Sequence, residues 1–319
     1  MKAIRIHAFG GPEMMKLEDL PDPQPGSGQV LIANKAIGVN PVDTYIRAGK
    51  YGPKDFPYTP GSDSAGVVEA VGPNVTKYKK GDRVYVYRAA TGAYAEKCVA
   101  DEANVHPLPE NITFQQGAAL GVPYGTAFRA LHIRAQTWPG ETVLIHGATG
   151  AVGLAALQMA REVGCTIIAT GGSDRGRVLL LEQGAHHALD HHDASMIEKV
   201  MDITAGRGVD VILEMLANVN LGNDLKMLAK KGRCVVIGSR GTVEIDPRMT
   251  MAKDADIRGM SLSNASPEEL KSIYAGVTAG LECGTLRPII DHELPLSKAP
   301  ESHVEVLEGN SHGKIVLIP

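Results

Sequence analysis

Residues 143–153 read VLIHGATGAVG and run on into LAALQMA, and no other stretch of this chain constrains its fold as tightly. An apolar run of strand length ends in glycines at 147, 150 and 153, and the spacing that follows is that of a helix buried on one face. Strand, tight turn and helix in that order are half of a βαβ unit, which commits the surrounding sequence to a parallel sheet. The turn also implies a chemistry. Gly150 lets the backbone approach a pyrophosphate, and Gly153 lets the helix pack close against the strand. The first N–H groups of the helix lack partners and favour an anion. Ala148 stands where the fingerprint G-x-G-x-x-G has its first glycine, so the match is incomplete. A glycine-rich turn that holds nothing is the plain alternative, and the strand–turn–helix context argues against it.

Around this motif the chain changes rhythm. Residues 30–36, 66–71 and 83–87 are rich in strand formers and are separated by PDPQPG (21–26), YTPG (58–61) and KGD (80–82), which predicts a barrel-like β domain. Residues 1–11 alternate apolar and polar as a first strand does, without the apolar core of a secretory signal. Helical character begins at 115–120 and again at 126–132. Beyond Gly140, strands at 142–146, 166–170, 209–214 and 233–238 alternate with helices at 152–163, 175–183 and 221–229. A helix at 267–281 and a strand at 314–318, expected to return to the first domain, complete the pattern. The fold class expected is α/β, a Rossmann parallel-sheet domain plus a β-barrel catalytic domain. The expected boundaries are 1–114, 115–263 and a returning segment 264–319. No run approaches the ~18–20 apolar residues that span a bilayer.

An enzyme that uses NAD commonly places an acid about 20 residues beyond the glycines, on the ribose hydroxyls. Here residues 170–177 read TGGSDRGR. Small residues hold the expected acidic position, and Arg175 and Arg177 follow. A carboxylate ~4 Å from a 2′-phosphate would cost about 4 kcal/mol per charge pair at an effective dielectric of ~20. Its absence permits NADPH, and the arginines favour it. Asp174 keeps NAD open as the acid of a shifted loop, and a solvated helix start is the plain alternative for the arginines. The string HHALDHHD at 186–193 fixes no ligand geometry and reads as a surface loop. A formal net charge of −4 with mixed signs argues against a dedicated nucleic-acid or anionic-membrane surface. Cys98, Cys165, Cys234 and Cys283 lie far apart with no CxxC pair, so a reducing cytoplasm fits better than a disulfide framework.

Five further strings carry a family resemblance: GVNPVDTYIR (38–47), PGSDSAG (60–66), KGDRV (80–84), EMLANVNL (214–221) and GSRGTVEIDPR (238–248). Together they make the whole chain similar to the zeta-crystallin type of NADPH:quinone oxidoreductase, in the zinc-free branch of the medium-chain dehydrogenase/reductase superfamily. The resemblance implies a GroES-like catalytic domain joined to a Rossmann domain, with NADPH as cofactor. It implies Tyr45 near the nicotinamide and Thr149, Gly150, Ala151 and Val152 in the pyrophosphate loop. Gly172, Ser173 and His191 are implied at the 2′-phosphate end, with Lys314 a further candidate there. Asn220 and the turn Ile237, Gly238, Ser239 and Arg240 are implied to line the cofactor, and Asn40 and Tyr51 the quinone side. Without the family pattern, Tyr45 reads as an ordinary half-buried tyrosine. A homotetramer is implied rather than a dimer.

The alcohol-dehydrogenase branch holds zinc through a Cys in the first loop and a Gly-His-Glu motif. Here those loops read AIGVNP (36–41) and Gly61-Ser62-Asp63, and the four-cysteine structural lobe is missing. Of the usual ligand types only Asp63 remains, so no metal is expected. A quinone is already electrophilic, so positioning over the nicotinamide supplies much of the catalysis. The expected reaction is NADPH-dependent reduction of quinones, ortho-quinones foremost, by one- or two-electron transfer, the family leaning toward one. No residue stands out as the general acid. Two alternatives stay open: reduction of activated alkenes such as 2-alkenals or enoyl thioesters, and a non-catalytic crystallin-like or AU-rich RNA-binding role. For the latter, 4% aromatics and no stacking strip give little support.

Overall fold

Strand Gln29–Gly38 organises the first half of the molecule, because both of its edges are used along its length. One edge pairs antiparallel with Asp63–Val71. The other pairs first with Lys97–Asp101, over residues 29–33, and then with Lys314–Ile318, over residues 37–38. Asn34 sits at the handover. Its buried amide donates to the Ala93 and Ala95 carbonyls at 3.2 and 2.9 Å, satisfying acceptors that no strand reaches. The resulting sheet is seven-stranded and mostly antiparallel, running Ile290–Pro295, Lys314–Ile318, Gln29–Gly38, Asp63–Val71, Arg83–Val86 and Val105–Pro107, with Lys97–Asp101 off that path. Gly38 is required at its position. A Cβ there would stand 2.1 Å from the Ala118 carbonyl oxygen and 2.9 Å from Cε of Lys314.

This computed structural model describes residues 1–309 and 311–319. It divides the chain into Met1–Val122 with Arg287–Pro319, and Pro123–Leu286. The division departs from the boundaries read in the sequence. The returning segment starts at Arg287, not at residue 264, because helix Pro267–Cys283 belongs to the second unit. Its apolar face, Ile273, Tyr274, Val277 and Leu281, is buried there, and Gly276 lies against the Phe128 ring.

The second unit is a six-stranded parallel sheet in the order His187–Leu189, Thr166–Thr170, Thr142–Ile145, Val209–Glu214, Leu228–Val236, Asp256–Gly259. Chain order reverses between Thr142–Ile145 and Val209–Glu214, and ligands of open α/β sheets bind where that reversal opens the carboxyl ends of the strands. The core strands read TIIAT and VDVILE because both faces are covered, so alternation gives way to continuous apolar runs. The helix expected at 221–229 runs Ala217–Met227, and the strand expected from 233 starts at Leu228. Lys230, Lys231 and Gly232 fall between the expected helix and the expected strand. In the structure they lie within the strand, with Lys231 at φ 61°.

Candidate dinucleotide site

The turn after Thr142–Ile145 carries the geometry a dinucleotide needs. Gly147, at φ 54°, makes the tight reversal one residue before the position where the fingerprint places its first glycine. Thr170 braces the turn from the neighbouring strand, its Oγ1 accepting the Gly147 N–H at 3.1 Å and its carbonyl accepting the Ala148 N–H at 2.9 Å. Gly150 caps helix Ala151–Val163 without any side-chain hydrogen bond, which leaves the first N–H groups of the helix to a ligand. A Cβ at Gly150 would meet only the Gly147 carbonyl oxygen, at 3.6 Å, so space for a backbone approach is open there. A Cβ at Gly153 would lie 2.5 Å from Cα of Ala148, so helix and turn are in direct backbone contact. Thr149, Ala151 and Val152 complete this turn. The residues present fit a pyrophosphate.

At the end of the next strand, Thr170 leads into Gly171, Gly172 and Ser173, with Ser173 capping helix Asp174–Glu182 through Gly176 N–H at 3.1 Å. Gly172 and His191 come together: a Cβ on Gly172 would lie 2.9 Å from His191 Nε2. The two arginines separate in role. Arg177 is committed to Asp174, to Asp190 at 3.3 Å and to the Gly171 carbonyl at 3.0 Å, so it builds the loop. Arg175 is exposed and forms no ion pair with any described residue. Asp174 is turned onto Arg177 in its own helix. Beyond the switch point, Ile237 and Gly238 donate to the Glu214 carbonyl, Arg240 N–H donates to Asn218 Oδ1 at 2.8 Å, and Ser239 Oγ donates to the Gly241 carbonyl. Asn220 points inward, its Nδ2 donating to Glu214 Oε1 at 3.1 Å.

Beneath these turns lies a buried group that the sequence reading passed over. His146 Nε2 is 2.9 Å from Asp224 Oδ1 and 3.6 Å from Glu214 Oε2. Burial alone would lower the His146 pKa; the hydrogen bond and charge of Asp224, with Glu214 behind, outweigh it and raise it. Burial first, then the Asp224 charge, raises Glu214 to about 7 against the pull of His146. The signal in the sequence was a His and a Glu each terminating an apolar strand, in VLIH and VDVILE.

The candidates in the first unit gather around helix Pro41–Arg47. Tyr45 and Tyr51 lie parallel, rings 4° apart in tilt and 6.5 Å between centroids; Tyr45 is half-buried and Tyr51 is 62% exposed. Asn40 does not present its amide to a substrate. Its Nδ2 donates to Asp63 Oδ2 at 2.9 Å and its Oδ1 accepts from Lys314 Nζ at 2.5 Å, in a site where it is 1% exposed. Lys314, expected at a 2′-phosphate, is corrected likewise. Its ammonium is buried in the first unit on Asn40, 3.8 Å from Asp63, because two buried carboxylates there need a cation. Asp63 also takes the Val122 N–H on both oxygens at 3.0 Å. Behind them a directed chain fixes the helix. Arg47 has no acceptor, so it donates to His303 Nδ1 (3.1 Å). His303 Nε2–H then donates to Tyr94 Oη (3.0 Å), and Tyr94 O–H to Asp43 Oδ2 (3.4 Å). Burial, then the Arg47 charge, lowers His303 to about 3 and keeps it neutral.

Comparison with known proteins bears on this arrangement. Residues 26–110 match the model described as alcohol dehydrogenase GroES-like domain, and residues 151–276 that of zinc-binding dehydrogenase. Over its whole length the chain is 50% identical to the quinone oxidoreductase of Mus musculus, covering 98% of that protein. The chain belongs to the quinone oxidoreductase family. Among solved structures, Escherichia coli quinone oxidoreductase complexed with NADPH superposes on this family member with a TM-score of 0.91 at 29% identity, covering 100% of both chains. An enzyme described as NAD-dependent alcohol dehydrogenase superposes with 0.93 at 29% identity, again over 100% of both chains, so fold alone does not choose the cofactor.

One matched model carries zinc in its description, and the residues of this quinone oxidoreductase do not fit it. At the two loops where zinc ligands would stand are Asn40 and Ser62-Asp63, and the Lys314 ammonium is already the cation between Asn40 and Asp63. A dication there would be repelled by that buried ammonium, and those loops offer no thiolate or imidazole to bind it.

Proposed function

We propose that this chain binds NADPH at residues 147–153 and uses it to reduce quinones without zinc. The uncapped helix N-terminus on an open glycine turn, at the switch point of a parallel sheet, carries the proposal. NADPH is preferred to NADH because Thr166–Thr170 ends in Gly171, Gly172 and Ser173, Asp174 is neutralised by Arg177, and Arg175 stands free for a phosphate. When bound, the dinucleotide would supply the reducing electrons, by one- or two-electron transfer, and solvent the protons that the reduced quinone takes up. Tyr45 and Tyr51 offer the flat faces that suit a planar ring, and the exposed Tyr51 hydroxyl is assigned to the product oxygen. Asn40 acts by holding helix Pro41–Arg47 rather than by touching substrate.

The assembly is assigned as a homotetramer in the cytoplasm. Cys98, Cys165, Cys234 and Cys283 are all free thiols, which suits a reducing compartment. No helix among the described residues is long and apolar enough to cross a membrane. Thermal shift with NADPH and NADH tests the cofactor, ligand at 100 times its Kd adding about 2.7 kcal/mol. A larger shift with NADH overturns the phosphate reading. NADPH oxidation with an ortho-quinone is expected to exceed that with a 2-alkenal, and the reverse order moves the substrate to activated alkenes.

A further inference from the structure

Three ionisable side chains from three elements form the floor of the glycine turn. His146 follows strand Thr142–Ile145, Glu214 ends strand Val209–Glu214, and Asp224 lies on helix Ala217–Met227. His146 is 3% exposed and the two acids are fully buried. One ring nitrogen of His146 and one carboxylate oxygen of each acid lie within 4.8 Å of one another. Their donors are unevenly shared. Glu214 Oε1 accepts from the Leu216 N–H, just before helix Ala217–Met227, and from Nδ2 of Asn220 in that helix, a residue implied to line the cofactor. His146 gives its Nε2–H to Asp224. Among the described residues Glu214 Oε2 has no hydrogen-bond partner.

A buried carboxylate oxygen without a donor is unfavourable, and two ionised acids around one imidazolium leave a net buried charge. One proton on Oε2 removes both problems. It makes the group neutral overall and turns the orphan acceptor into a donor facing Asp224. We propose that Glu214 is a positioning residue for the dinucleotide: it works as the neutral acid, and its proton ties the turn after Thr142–Ile145 to the turn after Val209–Glu214. When that proton leaves, the second negative charge repels Asp224 and competes for His146, the two turns loosen, and cofactor affinity falls. The upward shift of Glu214, caused first by burial, agrees with this geometry. Other titratable groups face the triad from its neighbours. Cys234, on strand Leu228–Val236, has its Sγ 3.9 Å from Asp224 Oδ2, and burial and both carboxylates push its thiol far up, so it stays neutral. His191, beyond strand His187–Leu189, feels the His146 charge and is lowered, first by burial and then by His192.

This inference rests on the dinucleotide reading of the turn, and one set of titrations separates the two. NADPH dissociation constants are measured by cofactor fluorescence from about pH 6.5 to about pH 8.5 for the wild type, Glu214→Gln and His191→Gln. The wild type is expected to weaken by up to about tenfold per pH unit above about pH 7. Glu214→Gln, with a permanent N–H in place of the proton, loses that slope, and His191→Gln keeps it. Ionisation of the 2′-phosphate itself is common to all three proteins and cancels. A wild-type slope left intact by Glu214→Gln, or one abolished by His191→Gln, overturns the inference while the cofactor reading stands. Absence of NADPH binding at every pH overturns both. Should Glu214→Gln not fold, infrared titration of wild-type protein carrying isotope-labelled glutamate decides. A protonated carboxyl stretch that persists to about pH 7 supports the assignment, and its absence under mildly acidic conditions overturns it.

Discussion

Each unit of this protein holds a buried cluster in which two carboxylic acids share one base, yet the two clusters respond differently when a proton leaves. In the first unit the base is Lys314, and burial followed by the Asp63 charge raises Asp43 to about 7. Asp43 nevertheless accepts from the Asn40 N–H and from Tyr94, and Asp63 from Asn40 and Val122. Donors are in place for the charged forms, so ionisation breaks no hydrogen bond. In the second unit the base is an imidazole and Glu214 Oε2 has no donor among the described residues. Equal numbers of charges thus make a strut in one place and a titrating clasp in the other. The donor count, more than the burial, separates them.

The sharpest way to break this comparison is Lys314→Met. Removing the cation from two buried acids is expected to cost about 3–5 kcal/mol in urea unfolding at neutral pH. A loss under ~1 kcal/mol would mean that those acids were already neutral and the strut imaginary. Next in size is a pH effect. Unfolded glutamate releases its proton near 4.5 and Glu214 in the fold near 7. Between those values the folded state holds the extra proton, so this contribution is complete below about pH 4.5 and gone above about pH 7. The stability of the wild type relative to Glu214→Gln should therefore fall over that window, by no more than about 1.4 kcal/mol per pH unit. His106 and His303, both lowered to about 3 mainly by burial, pull the opposite way as pH falls below 6.5, which is why the difference between the two proteins is the quantity to measure.

Two smaller effects sharpen the role of the second unit. Gly150→Ala should leave the melting temperature unchanged, since its Cβ meets nothing closer than 3.6 Å. NADPH affinity should still drop by about tenfold or more, a methyl group now standing where the pyrophosphate approaches the backbone. Arg175→Ala should weaken NADPH by about fivefold and leave NADH untouched, as expected for one exposed charge on a phosphate. Arg177→Ala should lower stability instead, because its guanidinium is held by Asp174, Asp190 and Gly171. Calorimetric titration with the two nucleotides distinguishes these outcomes.

The second unit was the more legible half of the sequence. Strands 166–170 and 209–214 stand where their apolar runs placed them, because a strand buried on both faces is a continuous apolar word. The turn at 147–153 was equally plain, since its glycines have local reasons. The pairing of Lys314 with Asn40 had no local sign, lying 274 residues apart in the chain. The helix Pro267–Cys283 announced an apolar face but not the unit that face would cover. His146, Glu214 and Asp224 were individually visible as charges closing apolar runs or interrupting a helix. Only the sheet order, which sets Thr142–Ile145 beside Val209–Glu214, brings them together.

The first unit is written in two instalments, and its last one carries both an edge partner and the ammonium. During synthesis, residues 123–286 leave the ribosome complete while Asp43 and Asp63 still lack their cation and residues 37–38 their neighbouring strand. The inner unit therefore matures before the outer one, reversing the usual order of emergence. Until translation reaches Lys314, the amino-terminal portion lacks both that ammonium and that edge strand.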